Sequence, residues 1–125
     1  MCPGRKILVV DDEPVIAKSL TEILSCRGYD AKYVLSAEDG LRVAEVWLPH
    51  LALIDVILPK QNGIQMAIAL RVNHPAIQIL LFSGHSETAG LLDQATEGGH
   101  DFKILAKPAH PVILLETIST LLEKA

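Results

Sequence analysis

Aromatic residues are scarce in this chain: one Trp, two Tyr and two Phe among 125 residues. A core built round large rings is therefore excluded. With 50% of the residues apolar, the interior has to come from Leu, Ile, Val and Ala, side chains that suit strands covered by helices. Cysteine is nearly absent as well. Cys2 and Cys26 share no metal-type spacing with each other or with the histidines at 50, 74, 85, 100 and 110. This argues for a reducing compartment and against a disulfide scaffold or a histidine-ligated metal. No apolar run approaches the roughly 20 residues that span a bilayer, and the stretch from Met1 to Lys6 lacks a signal-peptide core. Eleven Lys and Arg stand against 15 Asp and Glu, a net charge of −4, and the cations are not clustered along the chain. The expectation is a cytoplasmic protein with no direct nucleic-acid contact and no membrane contact.

What the chain does contain is organised round Leu51-Ala52-Leu53-Ile54-Asp55-Val56-Ile57-Leu58-Pro59, an otherwise unbroken apolar run that carries one carboxylate. Such a run reads as a strand buried on both faces, which places Asp55 at the strand's C-terminal end. In an open α/β sheet that rim is where ligands bind.

The rest alternates regularly. Lys6 to Val10 is a β-branched strand that stops at Asp11-Asp12-Glu13-Pro14, with Pro placed for the first turn of a helix. From Val15 to Arg27, Ile16, Leu20, Ile23 and Leu24 repeat on one helical face, and Gly28 supplies the stop. Asp30 to Val34 is a weaker strand. Ser36 reads as the N-cap of a helix over Ala37 to Val46, carrying Leu41, Ala44 and Val46 and closed by Pro49. Trp47 reads as a partly packed residue, and Glu13 as a first-turn helix charge.

Leu51 to Asp55 is the third strand, Asn62-Gly63 opens a helix to about Val72, and Ile77 to Phe82 is the fourth strand, ending at Ser83. A helix over about Glu87 to Thr96 contains Gly90 and two threonines, which predicts the least stable helix of the set. Phe102 to Ala106 is the fifth strand. His110-Pro111 starts a last helix striped by Leu114, Leu115, Ile118, Leu121 and Leu122, with Ile113 exposed. Five strand-then-helix units with short connections predict one domain with a parallel, doubly wound sheet.

In such a sheet Asp11, Asp12, Asp55, Ser83 and Lys107 all fall on one rim. Three carboxylates about 4 Å apart repel by about 4 kcal/mol per pair at an effective dielectric near 20, so something positive must offset them. The all-oxygen set favours Mg²⁺, and Lys107 adds a fixed charge. A carboxylate beside a divalent cation, a lysine and a hydroxyl is arranged as a nucleophile for phosphoryl transfer.

The series V-V-D-D-E-P, L-I-D-V-I-L-P, L-F-S-G and L-A-K-P, in that order across residues 5 to 123, resembles the receiver domain of bacterial two-component response regulators. The resemblance implies a flavodoxin-like fold with five strands in the order 2-1-3-4-5 and five helices, and a single receiver domain over residues 1–125. It also implies a phosphoacceptor at Asp55, which takes its phosphoryl group from the phosphohistidine of a sensor histidine kinase or histidine phosphotransfer protein. Asp11 and Asp12 match the acidic pair that holds Mg²⁺ together with Asp55 and the backbone carbonyl of Ile57. Ser83 matches the hydroxyl that bonds the phosphoryl group and triggers switching. Lys107 matches its charge partner, with a cis bond to Pro108. Such a module is a self-phosphorylating, self-dephosphorylating switch rather than a turnover enzyme, a monomer or a phosphorylation-dependent dimer, with an output partner the sequence does not name.

The chain also departs from the family pattern. Ile104 stands where the family has Tyr or Phe three residues before the lysine, although Phe102 lies on the same side of that strand. Ile57 and His85 occupy the places that tune self-dephosphorylation, so an altered phosphoryl lifetime is expected. Two other readings remain at this point: a receiver-like domain with impaired switching, and a flavin-binding electron carrier of the same architecture. The second wants a Ser/Thr/Gly-rich phosphate loop after the first strand, where this chain has Asp-Asp-Glu.

Overall fold

A computed structural model of the chain describes residues 5–56, 63–83, 103–106 and 111–123. The element order is β1 (Lys6–Val10), α1 (Pro14–Cys26), β2 (Asp30–Val34), α2 (Ala37–Trp47), β3 (Leu51–Asp55), α3 (Gly63–Asn73), β4 (Gln78–Ser83), β5 (Lys103–Ala106) and α4 (Pro111–Glu123). The strands form one parallel sheet in the order β2-β1-β3-β4-β5. The expected helix over Glu87 to Thr96 and the expected cis bond at Pro108 lie outside the described residues.

Two apolar clusters account for the long Leu, Ile and Val runs. Side chains alternate along a strand, so Leu8, Val10, Ala52, Ile54, Ile79 and Leu81 pack towards α2 and α3. Ile7, Val9, Leu51, Leu53, Leu80 and Phe82 pack on the other side with Leu24 of α1 and Leu114, Ile118 and Leu122 of α4. Every residue of β3 is buried, and that is why its sequence shows no period-two polar face.

Helix ends follow local chemistry. Pro14 sits at the first position of α1, where its missing N–H costs nothing. Glu13 is the N-cap rather than a first-turn residue, and its side chain makes no cap hydrogen bond. Ser36 caps α2, its Oγ accepting from the Asp39 amide at 3.2 Å. That helix ends when Leu48 turns left-handed at φ 53°, one residue before Pro49. The described part of the chain is stitched at its ends as well. The Arg5 guanidinium donates to the Leu122 carbonyl at 3.2 Å, and the Lys6 amide donates to His50 Nδ1 at 2.9 Å.

One expectation needs correction. Val46 does not face the core but is 86% exposed, because at 100° per residue it lies about 200° round the helix from the buried Ala44. On α1, Ile16, Leu20 and Ile23 are only partly buried, and Ala17 joins Leu24 as the other fully covered residue. The small side chain lets that helix approach the sheet closely.

Gly63 is required by packing. A Cβ there would collide with the backbone carbonyl of Asp55 and with Ile54 Cγ2, because the Gly63 amide donates to the Val56 carbonyl at 2.6 Å and draws the start of α3 onto the end of β3. Gly28 is required by conformation: its φ is 89°, while the space a Cβ would take is open, with no atom within 4 Å. Gly28→Ala is expected to cost about 1 kcal/mol, from left-handed strain alone. Gly63→Ala is expected to cost about 2 to 3 kcal/mol, from overpacking against backbone. Urea unfolding midpoints check the order, and equal losses would contradict it.

Candidate functional site

The site grows from the register of two neighbouring strands. β1 and β3 run parallel with Val10 opposite Ile54, so the next residues, Asp11 and Asp55, emerge side by side at the C-terminal rim. Both share strand parity with Ile7 and Val9 on one strand and with Leu51 and Leu53 on the other. The two carboxylates are thus brought to the same side of the sheet by the same alternation that builds the core.

Asp11 is 1% and Asp55 8% exposed, while Asp12 is exposed. Asp11 is held in place: its amide donates to the Val34 carbonyl at 3.2 Å, and its Oδ1 accepts from the Glu13 amide at 3.0 Å. This is an Asx-type turn that leads the chain into α1. Asp55 is fixed through its backbone neighbours, with Val56 donating to the Phe82 carbonyl at 3.1 Å and Gly63 packed on its carbonyl.

Asp11, Asp12 and Asp55 each present one carboxylate oxygen, and all three oxygens lie within 4.8 Å of one another. Oxygens bound at about 2.1 Å to one small cation are at most about 4.2 Å apart. The cluster is therefore of the right size to close round a small, oxygen-ligated ion such as Mg²⁺. Hard donors, no sulfur or imidazole in the group, and an exposed member that opens the cluster to water all agree with that choice.

Of the other sequence-predicted residues, Ser83 is the last residue of β4, opposite Ala106 at the end of β5. β4 thus runs one residue further than expected and carries Ser83 to the rim next to Asp55. Lys107 directly follows Ala106 in sequence but, like Ile57 and His85, lies outside the described residues. One contributor is hidden in the sequence. Gly63 reads there only as a helix opener, and the available signal is a glycine at the first position of an apolar helix just after the acidic strand end.

Residues 7–119 match the response regulator receiver domain family. The transcriptional activator protein ExaE of Pseudomonas putida is 34% identical over 118 residues, which is 93% of this chain and 54% of that protein. The chain spans about half the length of the curated relatives it matches. Among solved structures, the CheY-like response regulator receiver domain protein of Methanospirillum hungatei superposes with a TM-score of 0.88 at 28% identity, covering 97% of this chain and 95% of that one. The BeF3-activated receiver domain of DrrB gives 0.80 at 31% identity, covering 96% and 98%. The charge-based expectation of no direct nucleic-acid contact gains no support from a relative named as a transcriptional activator. No helix among the described residues is long and apolar enough to cross a membrane. Parallel strand order, acidic rim and family match agree, and the chain belongs to the response regulator receiver domain family.

Proposed function

We propose that Asp55 is the phosphoacceptor of this receiver domain, and that Asp11, Asp12 and the backbone carbonyl of Ile57 join it in holding Mg²⁺. The observation that carries the reading is the convergence of the three Asp carboxylates at the end of a fully buried strand. A carboxylate oxygen of Asp55 attacks phosphorus in line, the P–N bond of a donor phosphohistidine breaks with its electron pair going to the imidazole, and an acyl phosphate results. Bound at the rim, Mg²⁺ supplies the positive charge that lets the acidic site accept an anionic phosphoryl group. Lys107 pairs with a phosphoryl oxygen and Ser83 donates its hydroxyl to another. Hydrolysis by water returns the carboxylate and inorganic phosphate.

The donor is a histidine kinase or a histidine phosphotransfer protein, and the output is a changed protein surface. A flavin carrier is disfavoured by the same geometry. Asp11 and Asp12 stand directly after β1, where a flavin phosphate would have to sit.

Incubation with Mg²⁺ and phosphoramidate is expected to add one phosphoryl group by mass. Asp55→Asn should abolish the adduct without lowering the unfolding midpoint, and an adduct that persists in the variant would move the acceptor elsewhere.

The carboxylate cluster also has a stability signature. Charges about 4 Å apart repel by about 1 kcal/mol in water-like surroundings and about 4 in a protein-like medium, and Asp12, being exposed, belongs near the lower figure. In chelator, Asp12→Asn is therefore expected to raise Tm by a few degrees, corresponding to roughly 1 kcal/mol. The same change should remove most of the Tm rise that Mg²⁺ produces in the wild type. A Mg²⁺ shift of equal size in both proteins would exclude Asp12 as a ligand.

Ile57 and His85 replace the residue types usual at positions that influence attack of water on the acyl phosphate. Ile57→Asn and His85→Glu are each expected to change the decay rate of the phosphorylated protein several-fold. Decay followed by Phos-tag electrophoresis tests this, and rates within twofold of wild type would remove both positions from control of lifetime.

A further inference from the structure

The sequence scatters its cations, but folding gathers three of them at the far edge of the sheet, away from the acidic rim residues of β3. Lys32 Nζ lies 4.9 Å and Lys6 Nζ 5.8 Å from the centroid of the Trp47 ring. The Lys6 ammonium also donates to the Trp47 carbonyl at 3.2 Å. Lys32, Arg42, Val43, Val46 and Trp47 line a shallow cavity of about 330 Å³ between β2 and α2.

Three features of this cavity are unusual for a solvated helix face. Val46 is 86% exposed beside it, an apolar side chain left open to water next to a half-buried Trp. Glu38 and Glu45 lie one turn either side of Arg42 on α2, yet among the described residues neither Arg42 nor Lys32 has a carboxylate partner. Among the described residues β2 is an edge strand, paired with β1 alone, so its outer backbone groups face outward beside the cavity.

We propose that the β2–α2 edge is a docking site for an extended acidic segment of a partner protein, one that carries an apolar residue flanked by Asp or Glu. The charges select the partner: Lys32 and Arg42, without carboxylate partners among the described residues on a chain of net charge −4, complement carboxylates and repel basic segments. The size selects the anchor, because a cavity at the lower limit of ligand pockets holds a side chain rather than a cofactor. The free strand edge adds main-chain hydrogen bonds in register with β2, leaving alternate side chains to reach the cavity. Stacking of a nucleic-acid base on Trp47 is the weaker fit, since two ammonium groups already sit over the ring and would have to be displaced.

Trp47 is the only Trp in the chain, so its fluorescence reports on this site alone. A displayed library of random peptides about a dozen residues long is selected on the Asp55→Asn protein and counter-selected on the same protein carrying Lys32→Gln and Arg42→Gln. Using the Asp55→Asn background separates the outcome from phosphorylation. The expected survivors are rich in Asp and Glu with an apolar centre and change Trp47 fluorescence saturably. They should bind at least tenfold more weakly to the double variant and to Val46→Asp, all three substitutions being at exposed positions. The proposal is overturned if no peptide survives counter-selection, if survivors lack acidic residues, or if oligothymidylate occupies the site more tightly than any selected peptide.

Discussion

Mutual repulsion among Asp11, Asp12 and Asp55 is the constraint to which the rest of the molecule answers. Three carboxylate oxygens within 4.8 Å of one another would separate if their supports could yield. They do not, because each is the continuation of an apolar strand or of a turn tied to one. Asp11 and Asp55 extend adjacent β1 and β3, and residues 7 to 10 and 51 to 54 are at most 1% exposed. Displacing either end would pull Leu and Ile side chains out of a close-packed interior, at a few kcal/mol for each side chain uncovered. That is comparable to the Coulomb repulsion between bare carboxylates at this spacing, so the core is firm enough to hold the acids together.

The same logic explains why the elements beside the site are so tightly drawn. α3 begins on Gly63 because only a residue without Cβ lets the helix sit on the Asp55 carbonyl. Its buried residues, Ile64, Met66, Ala67 and Leu70, then lie on one broad face of the helix. α1 begins at Pro14 immediately after the Asp11 turn, with the Glu13 amide given to Asp11. Asp11 and Asp12 are therefore followed by a helix after at most two residues, so that side of the cluster cannot relax by moving a loop alone.

Much of this was legible because burial forces an explanation for any charge. One Asp in β3 stood out against Leu, Ile and Val, and four polar strand ends in a parallel alternation could only share a rim. What the sequence could not show were consequences of two surfaces meeting. Gly63 looks like any helix opener until β3 lies beneath it. Val46 looks apolar, and a short α2 pattern containing Leu41 and Ala44 absorbed it into the core face, although the helical angle sends it outward. Lys6, Lys32 and Arg42 are separated by 26 and 10 positions in the numbering, and only the parallel pairing of β1 with β2, with α2 crossing behind them, brings them round Trp47. Charge patterning along a chain detects clusters that are local in sequence; a patch assembled from β1, β2 and α2 is not.

The strand register also limits how a change at Asp55 can travel. Asp55 pairs with Phe82, Ser83 pairs with Ala106, and Ile104 pairs with Leu81, so β3 and position 104 are joined through β4. A Tyr or Phe at position 104 could respond to a moved Ser83 by rotating about χ1. A β-branched Ile is stiff about that bond and has no ring to transfer between pockets. Under the proposed function, a displacement of Ser83 would then have to be passed on by shifting β4 against β5, or by a residue other than 104. The two strands are coupled by main-chain hydrogen bonds that hold their register, and a movement of that kind carries the whole β5 edge with it instead of one side chain.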